Sequence, residues 1–173
     1  MESPKQSKFV SSLLFGLLTG FVLVILSVLL FATNQYNGGL KYLSYPILAL
    51  GIVLGTLSYR NKSLEGYISY GKSMGFGVLI SLFAGLVSGI FVMIYFKFIN
   101  TGIVDDMMQK LGEEWANKGM KEEQIAVAEK YARMMFTPTA MLIISVISNV
   151  FLGTIISLIS SIFIKKDRPG EMS

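Results

Sequence analysis

Four stretches of this chain run for 18 or more positions without a charged residue, and no other feature restricts its fold as much. Residues 9–31 give 23 such positions, 42–59 give 18, 73–96 give 24 and 138–164 give 27. At about 1.5 Å per residue the first reaches roughly 35 Å, enough to cross a hydrocarbon core of about 30 Å. The second stands near the lower limit for a span, and its Pro46 falls in the first turn, where a missing N–H costs least. The fourth is long enough to tilt or to project beyond the bilayer. Lys5 and Lys8 precede the first run as they would in a signal peptide. That run exceeds the roughly 7 to 15 apolar residues of a cleaved signal, however, and no Ala-x-Ala site follows, so it reads as a retained helix.

Backbone polar groups in lipid must find partners inside their own segment or a closed barrel, and these runs lack the alternation of a barrel strand. The fold class expected is therefore all-α: an integral membrane four-helix bundle forming one membrane domain over residues 1–173. An amphipathic helical hairpin is expected between the third and fourth spans. The charge distribution agrees, since of 26 charged residues 12 lie in 101–137 and the rest fall at the ends of the apolar runs. Charged residues make up 15% of the chain, against roughly 25% in soluble chains.

Direction follows from the short flanks. Lys5, Lys8, Arg60, Lys62, Lys72, Lys165, Lys166 and Arg168 share one side, and the other has Lys41 and a long segment of mixed charge. The positive-inside rule puts the first set, and with it both termini, in the cytoplasm of a bacterial inner membrane. Tyr36, Tyr42, Tyr45, Tyr95 and Phe96 then form an outer aromatic belt, and Tyr59, Tyr67 and Tyr70 an inner one. The basic face also implies attraction to anionic lipid headgroups, whereas nucleic acid is not an expected partner.

Residues 101–137 carry two amphipathic patterns, Val104, Met107, Leu111 and Trp115 in the first and Ile125, Ala128, Ala132 and Met135 in the second. Asn117-Lys118-Gly119 supplies the stop between them, and Thr137-Pro138 reads as an N-cap followed by Pro at the first position of the last span. Acid–base pairs four apart, Asp106 to Lys110, Glu114 to Lys118 and Glu129 to Arg133, favour helix. Lys121 is a poor cap, so the second helix is expected to begin irregularly near Met120. The helices either pack on each other over the outer mouth of the bundle or lie on the membrane, and the Gly119 turn favours the first. Trp115, Leu111 and Ile125 are the candidate partner contacts. Glu113-Glu114 and Glu122-Glu123 lack the spacing of a calcium loop and read as solvated faces, so no metal is assigned.

Small or polar residues recur every fourth position in two spans: Ser73, Gly77, Ser81, Gly85, Gly89 in the third and Ser145, Asn149, Gly153, Ser157, Ser161 in the fourth. Lipid offers no apolar drive for helices to associate, so such stripes matter by letting backbones approach closely. Ser81, Gly85, Gly89, Asn149, Gly153 and Ser157 form the candidate packing seam, with Asn149 bonded to Ser81 or to a carbonyl across it. No Asp, Glu, Lys or Arg lies inside the spans, which weighs against ion-coupled transport. The sequence has no Cys and no His, so thiol nucleophiles, imidazole bases and the commonest zinc and haem ligands are missing. No cofactor and no catalytic residue is assigned.

At Gly66-Tyr67-Ile68-Ser69-Tyr70-Gly71-Lys72-Ser73-Met74-Gly75, at Gly119-Met120-Lys121-Glu122-Glu123-Gln124-Ile125 and at the Pro138-led last span, the chain resembles bacterial domain-of-unknown-function family 4199. These are small four-span proteins found mainly in Bacteroidota. The resemblance implies an integral inner-membrane protein and brings no activity, ligand or catalytic residue; it also implies Ser or Thr where this chain has Lys121. The function expected is that of a non-catalytic accessory or scaffold subunit, bound to a membrane-protein partner or to its own copies. The alternative is a small transporter or channel for a neutral or lipidic solute. The topology has a direct check: of single cysteines at Asn37 and Ser63, an impermeant maleimide applied to whole cells labels only the first. Labelling at Ser63 but not at Asn37 would invert the orientation.

Overall fold

A computed structural model describes residues 7–33, 35 and 38–168. The expectations placed on Lys5, Tyr36 and Asn37 lie outside the described residues. Six α-helices account for most of the chain: α1 (Lys8–Ala32), α2 (Ser44–Ser63), α3 (Tyr70–Ile94), α4 (Ile103–Asn117), α5 (Glu122–Met135) and α6 (Pro138–Ile164). A 3-10 turn over Gly39–Leu43 leads into α2, and a π-helical turn over Tyr95–Ile99 ends α3, closed by Asn100 N–H on the Tyr95 carbonyl at 2.9 Å. Four of the helices are long and apolar enough to cross a membrane, and the described residues contain no strand. The chain forms two compact units, Met1–Ser88 with Val146–Ser173, and Gly89–Ser145.

Local chemistry sets the helix ends. The Ser7 hydroxyl accepts from the Val10 N–H at 3.3 Å to cap α1, and Thr137 does the same for Ala140 at 3.3 Å, with Pro138 at the first position of α6. α2 runs past the apolar stretch to Ser63 and ends in a loop where Glu65 and Gly66 both take positive φ, with Gly66 N–H folded back onto the Arg60 carbonyl at 2.9 Å. The loop then meets the chain leaving α6. Ile68 and Lys166 exchange both backbone hydrogen bonds at 2.9 Å, the sole extended pairing among the described residues. Arg60 Nη1 adds a bond to the Ile164 carbonyl at 3.0 Å, placing a cation on the C-terminal end of α6.

The first unit is built with its apolar surface outward. Phe151 and Phe163 on α6 are 65% and 81% exposed, and α1 turns Phe21, Ile25 and Leu29 out, while Ser12, Thr56, Ser73, Ser81, Ser157 and Ser161 are buried. The apolar core is small: Leu23, Leu48, Ile52, Phe76, Ile80 and Ala84, with Phe15, Tyr59, Leu152 and Ile156 against it. An exterior of this kind is stable only where the solvent is itself apolar. Tyr59, expected in the inner belt, instead stacks on Phe76 with ring centroids 4.3 Å apart, because its position on α2 faces the core. Tyr70 and Tyr67 are also engaged within the chain, Tyr70 Oη with the Leu158 carbonyl at 3.2 Å and the Tyr67 ring with Lys166 Nζ at 5.4 Å.

In the second unit α4 and α5 pack on each other. Arg133 Nη1 reaches Asp105 Oδ1 at 2.7 Å, and a Cβ at Gly112 would come within 3.1 Å of the Glu129 carboxylate. The expected Glu129–Arg133 pair does not form, because Arg133 turns to the neighbouring helix. Gly119, at φ +81°, ends α4, with Met120 N–H on the Trp115 carbonyl at 3.1 Å. The second helix starts cleanly at Glu122 rather than irregularly: the Gln124 side-chain oxygen accepts from the Lys121 N–H at 3.1 Å, doing from inside the first turn part of what a Ser at the cap would do. The buried stripe of α4 is rotated from the expected one, with Ile103 and Met108 most buried and Val104, Met107, Leu111 and Trp115 half-buried. On α5, Met135 is exposed where burial was expected. Phe96 is buried at 4% exposure rather than placed in the outer belt.

Candidate functional site

The two four-residue stripes meet, antiparallel and in register. In the first unit Ser73 faces Ser161, Gly77 faces Ser157, Ser81 faces Gly153 and Gly85 faces Asn149, so each turn up α3 answers one turn down α6. In the second unit Gly89 stands against Ser145 and Leu142. Glycine meets a side-chain-bearing residue at each rung but the first, and that alternation lets the backbones close. A Cβ added at Gly153 or at Gly77 would overlap the facing serine side chain. One added at Gly85 would lie 3.0 Å from Asn149 Cβ and 3.2 Å from Val146 Cα. Of the seam residues inferred from the sequence, Ser81, Gly85, Asn149, Gly153 and Ser157 meet in the first unit, and Gly89 makes its contact within the second.

α1 and α2 join through the same device. A Cβ at Gly16 would sit 3.0 Å from the Ile80 carbonyl oxygen and one at Gly20 3.2 Å from that of Ala84, so α1 lies against the backbone of α3. Gly51 receives Thr19, and Gly55 receives Phe15 and Ile80. The hydroxyls close to the seam are mostly satisfied within their own helices. Ser81 and Ser88 donate to the Gly77 and Ala84 carbonyls at 2.9 Å, and Thr19 and Thr154 to Phe15 and Val150 at 2.7 Å. The Ser81 hydroxyl is thus spent on its own helix, and its neighbour across the seam is Gly153 rather than Asn149. Ser161 crosses helices instead, donating to Ser73 Oγ at 2.8 Å. Thr56 and Ser157 are buried hydroxyls without a hydrogen-bond partner among the described residues.

Leu111, Trp115 and Ile125 are half-buried in the second unit, neither deep in it nor free of it. Sequence reasoning missed two features. One is a second apolar face on α5, made by Val127, Tyr131, Met134 and Met135, which was legible as a helical repeat but overlooked beside the first stripe. The other is a cleft of about 180 Å³ bordered by Tyr67, Ser69, Lys72, Lys166, Asp167 and Arg168, which no local pattern announces because its walls are about 100 residues apart.

Helices that bury glycine and serine, turn phenylalanine and isoleucine outward and are long enough for a bilayer define a multi-helix membrane protein. The chain belongs to the family described as Protein of unknown function (DUF4199), whose model matches residues 14–166. No curated protein and no solved structure matches it.

The register predicts its own rescue. Gly153→Ser forces a side chain into Ser81 and lowers the thermal midpoint in detergent, at a cost of about 1 to 3 kcal/mol. The exchange Ser81→Gly with Gly153→Ser keeps the rung filled and recovers most of that loss. Strict additivity of the two single changes in a double-mutant cycle would mean that the residues do not face each other.

Proposed function

We propose that this is a multi-pass protein of the bacterial inner membrane, a four-helix bundle with cytoplasmic termini and an extracytoplasmic insert over residues 101–137. In this reading it acts without catalysis, as an accessory or scaffold subunit whose contact element is the insert. The observation that supports it most is the free face of α5. Val127, Tyr131, Met134 and Met135, spaced i, i+4, i+7, i+8, are 57 to 64% exposed, while Ile125, Ala128 and Ala132 are half-buried. A short polar helix gains nothing from four uncovered large apolar side chains unless something else covers them. An i, i+4, i+7 row is also the form in which helices enter apolar grooves of partners. The small-residue seam adds to this by its use: its close approaches are taken up within the chain, which leaves the insert as the surface for a membrane-protein partner or a second copy.

A second reading, a small transporter or channel for a neutral or lipidic solute, draws on Thr56 and Ser157, whose buried hydroxyls have no partner among the described residues. Photo-crosslinking separates the two. With a photoreactive residue at Val127 or Tyr131 in tagged protein in native membranes, the subunit reading expects one reproducible protein adduct that is absent with the probe at Lys130. Adducts to lipid alone, together with solute flux into proteoliposomes above that of empty vesicles, would replace it with the second reading.

A further inference from the structure

The cleft at the Ile68–Lys166 bridge is a half-open depression with two sides rather than a flat patch of surface charge. Its two sides, the loop before α3 and the segment after α6, are fixed by the reciprocal hydrogen bonds of that bridge at 2.9 Å. Ile68, which lines the cleft, and Ile164, two residues before Lys166, are both buried and anchor the pair. Lys72, Lys166 and Arg168 border the cavity, with Asp167 as the one carboxylate among its lining residues. Arg168 stands 3.6 Å from Glu65, a loose contact, and Lys166 lies over the Tyr67 ring. Lys72 has no ion pair or hydrogen bond among the described residues, and the Ser69 hydroxyl beside it has none either. The first turn of α3, a 25-residue helix starting at Tyr70, adds the positive end of its dipole.

A volume of about 180 Å³ is below the roughly 300 Å³ at which pockets for drug-sized ligands begin, and suits one headgroup-sized anion. The cleft also lies where α2 and α6 end and α3 begins, beside Arg60, Lys62 and Lys165, at the level at which a bilayer presents its phosphates. We propose that this cleft binds the phosphate of an anionic phospholipid headgroup, with Lys72 and Lys166 as its principal cationic contacts, Arg168 at the rim and the Ser69 hydroxyl as a donor. The inference rests on the membrane placement proposed above but not on any protein partner.

The test is native mass spectrometry of the purified chain in a neutral detergent, titrated with phosphatidylglycerol, phosphatidylcholine or inorganic phosphate. Without a charged bilayer surface, diffuse attraction is removed and only a built site retains lipid. Phosphatidylglycerol is expected to bind as a single saturable adduct, more tightly than phosphatidylcholine. The affinity falls about fivefold in Lys72→Gln and more than tenfold in Lys72→Gln/Lys166→Gln, and is unchanged in Lys62→Gln/Lys165→Gln, which removes the same charge outside the cleft. Lys72 is exposed and has no partner among the described residues, so its substitution leaves helical circular dichroism intact and the result interpretable. Equal losses in the two double variants, or no loss in Lys72→Gln/Lys166→Gln, overturn the proposal. Displacement of the lipid by millimolar inorganic phosphate reassigns the cleft to a free anion and overturns the lipid assignment. A chain that binds the lipid yet captures no protein in the cross-linking experiment leaves this site standing and removes only the subunit reading.

Discussion

Backbone-to-backbone approach without an apolar driving force is the constraint on which the first unit depends. In water, burying leucine and phenylalanine holds helices together; in hydrocarbon that gain vanishes, because lipid tails solvate those side chains as well as a protein core does. What remains is dispersion between surfaces that fit, and dispersion falls off within a fraction of an ångström. Glycines facing Ile80, Thr19, Ser157, Asn149 and Ser81 create that fit along three helix contacts. Most of the hydroxyls that come with such close packing bond to carbonyls of their own helices, while Ser161 crosses from α6 to donate to Ser73 on α3.

Within the second unit, α4 and α5 are more polar than the four long helices. They pack on each other with Ile103 and Met108 buried, charged residues line much of the rest, and Val127, Tyr131, Met134 and Met135 leave one apolar face of α5 exposed. Acidic residues occupy the first turn of both helices, Asp105 and Asp106 in α4 and Glu122 and Glu123 in α5, where the helix dipole favours them. The exposed pair Arg133–Asp105 selects which faces meet more than it stabilises them. One chain therefore uses two packing devices, small-residue contact between α3 and α6 and an amphipathic pairing of α4 with α5.

Much of this was legible in the sequence because the strongest signals are one-dimensional. Absence of charge located the spans, and α6 begins and ends where its apolar run does, since Thr137-Pro138 and Lys165 mark both ends. α3 starts three residues ahead of its run, because Tyr70, Gly71 and Lys72 continue the helix into the polar interface. The stripes of the seam could be read by counting in fours, but their pairing could not, being a relation between segments about 60 to 90 residues apart. Aromatic residues were the least legible. Tyr59 and Phe96 sit near span ends, where a belt is expected, yet each faces inward, and rotation about a helix axis is decided by neighbours rather than by depth. Lys121 shows the same from the polar side: a poor cap in isolation is corrected by Gln124 three positions on.

The pairing of α3 with α6 also has a consequence in time. Between the end of one helix and the start of the other lie the 43 residues from Tyr95 to Thr137. At roughly 5 to 20 residues per second, a ribosome takes about 2 to 9 seconds to supply them. For that interval Gly77, Ser81 and Gly85 have α1 and α2 on neighbouring faces but no mate on their own, and their groove is filled by lipid or by whatever helix is at hand. The nascent chain passes through a stage in which a contact that is closed in the finished fold is still open. A protein that accompanies its insertion would find there a surface that the finished fold no longer offers.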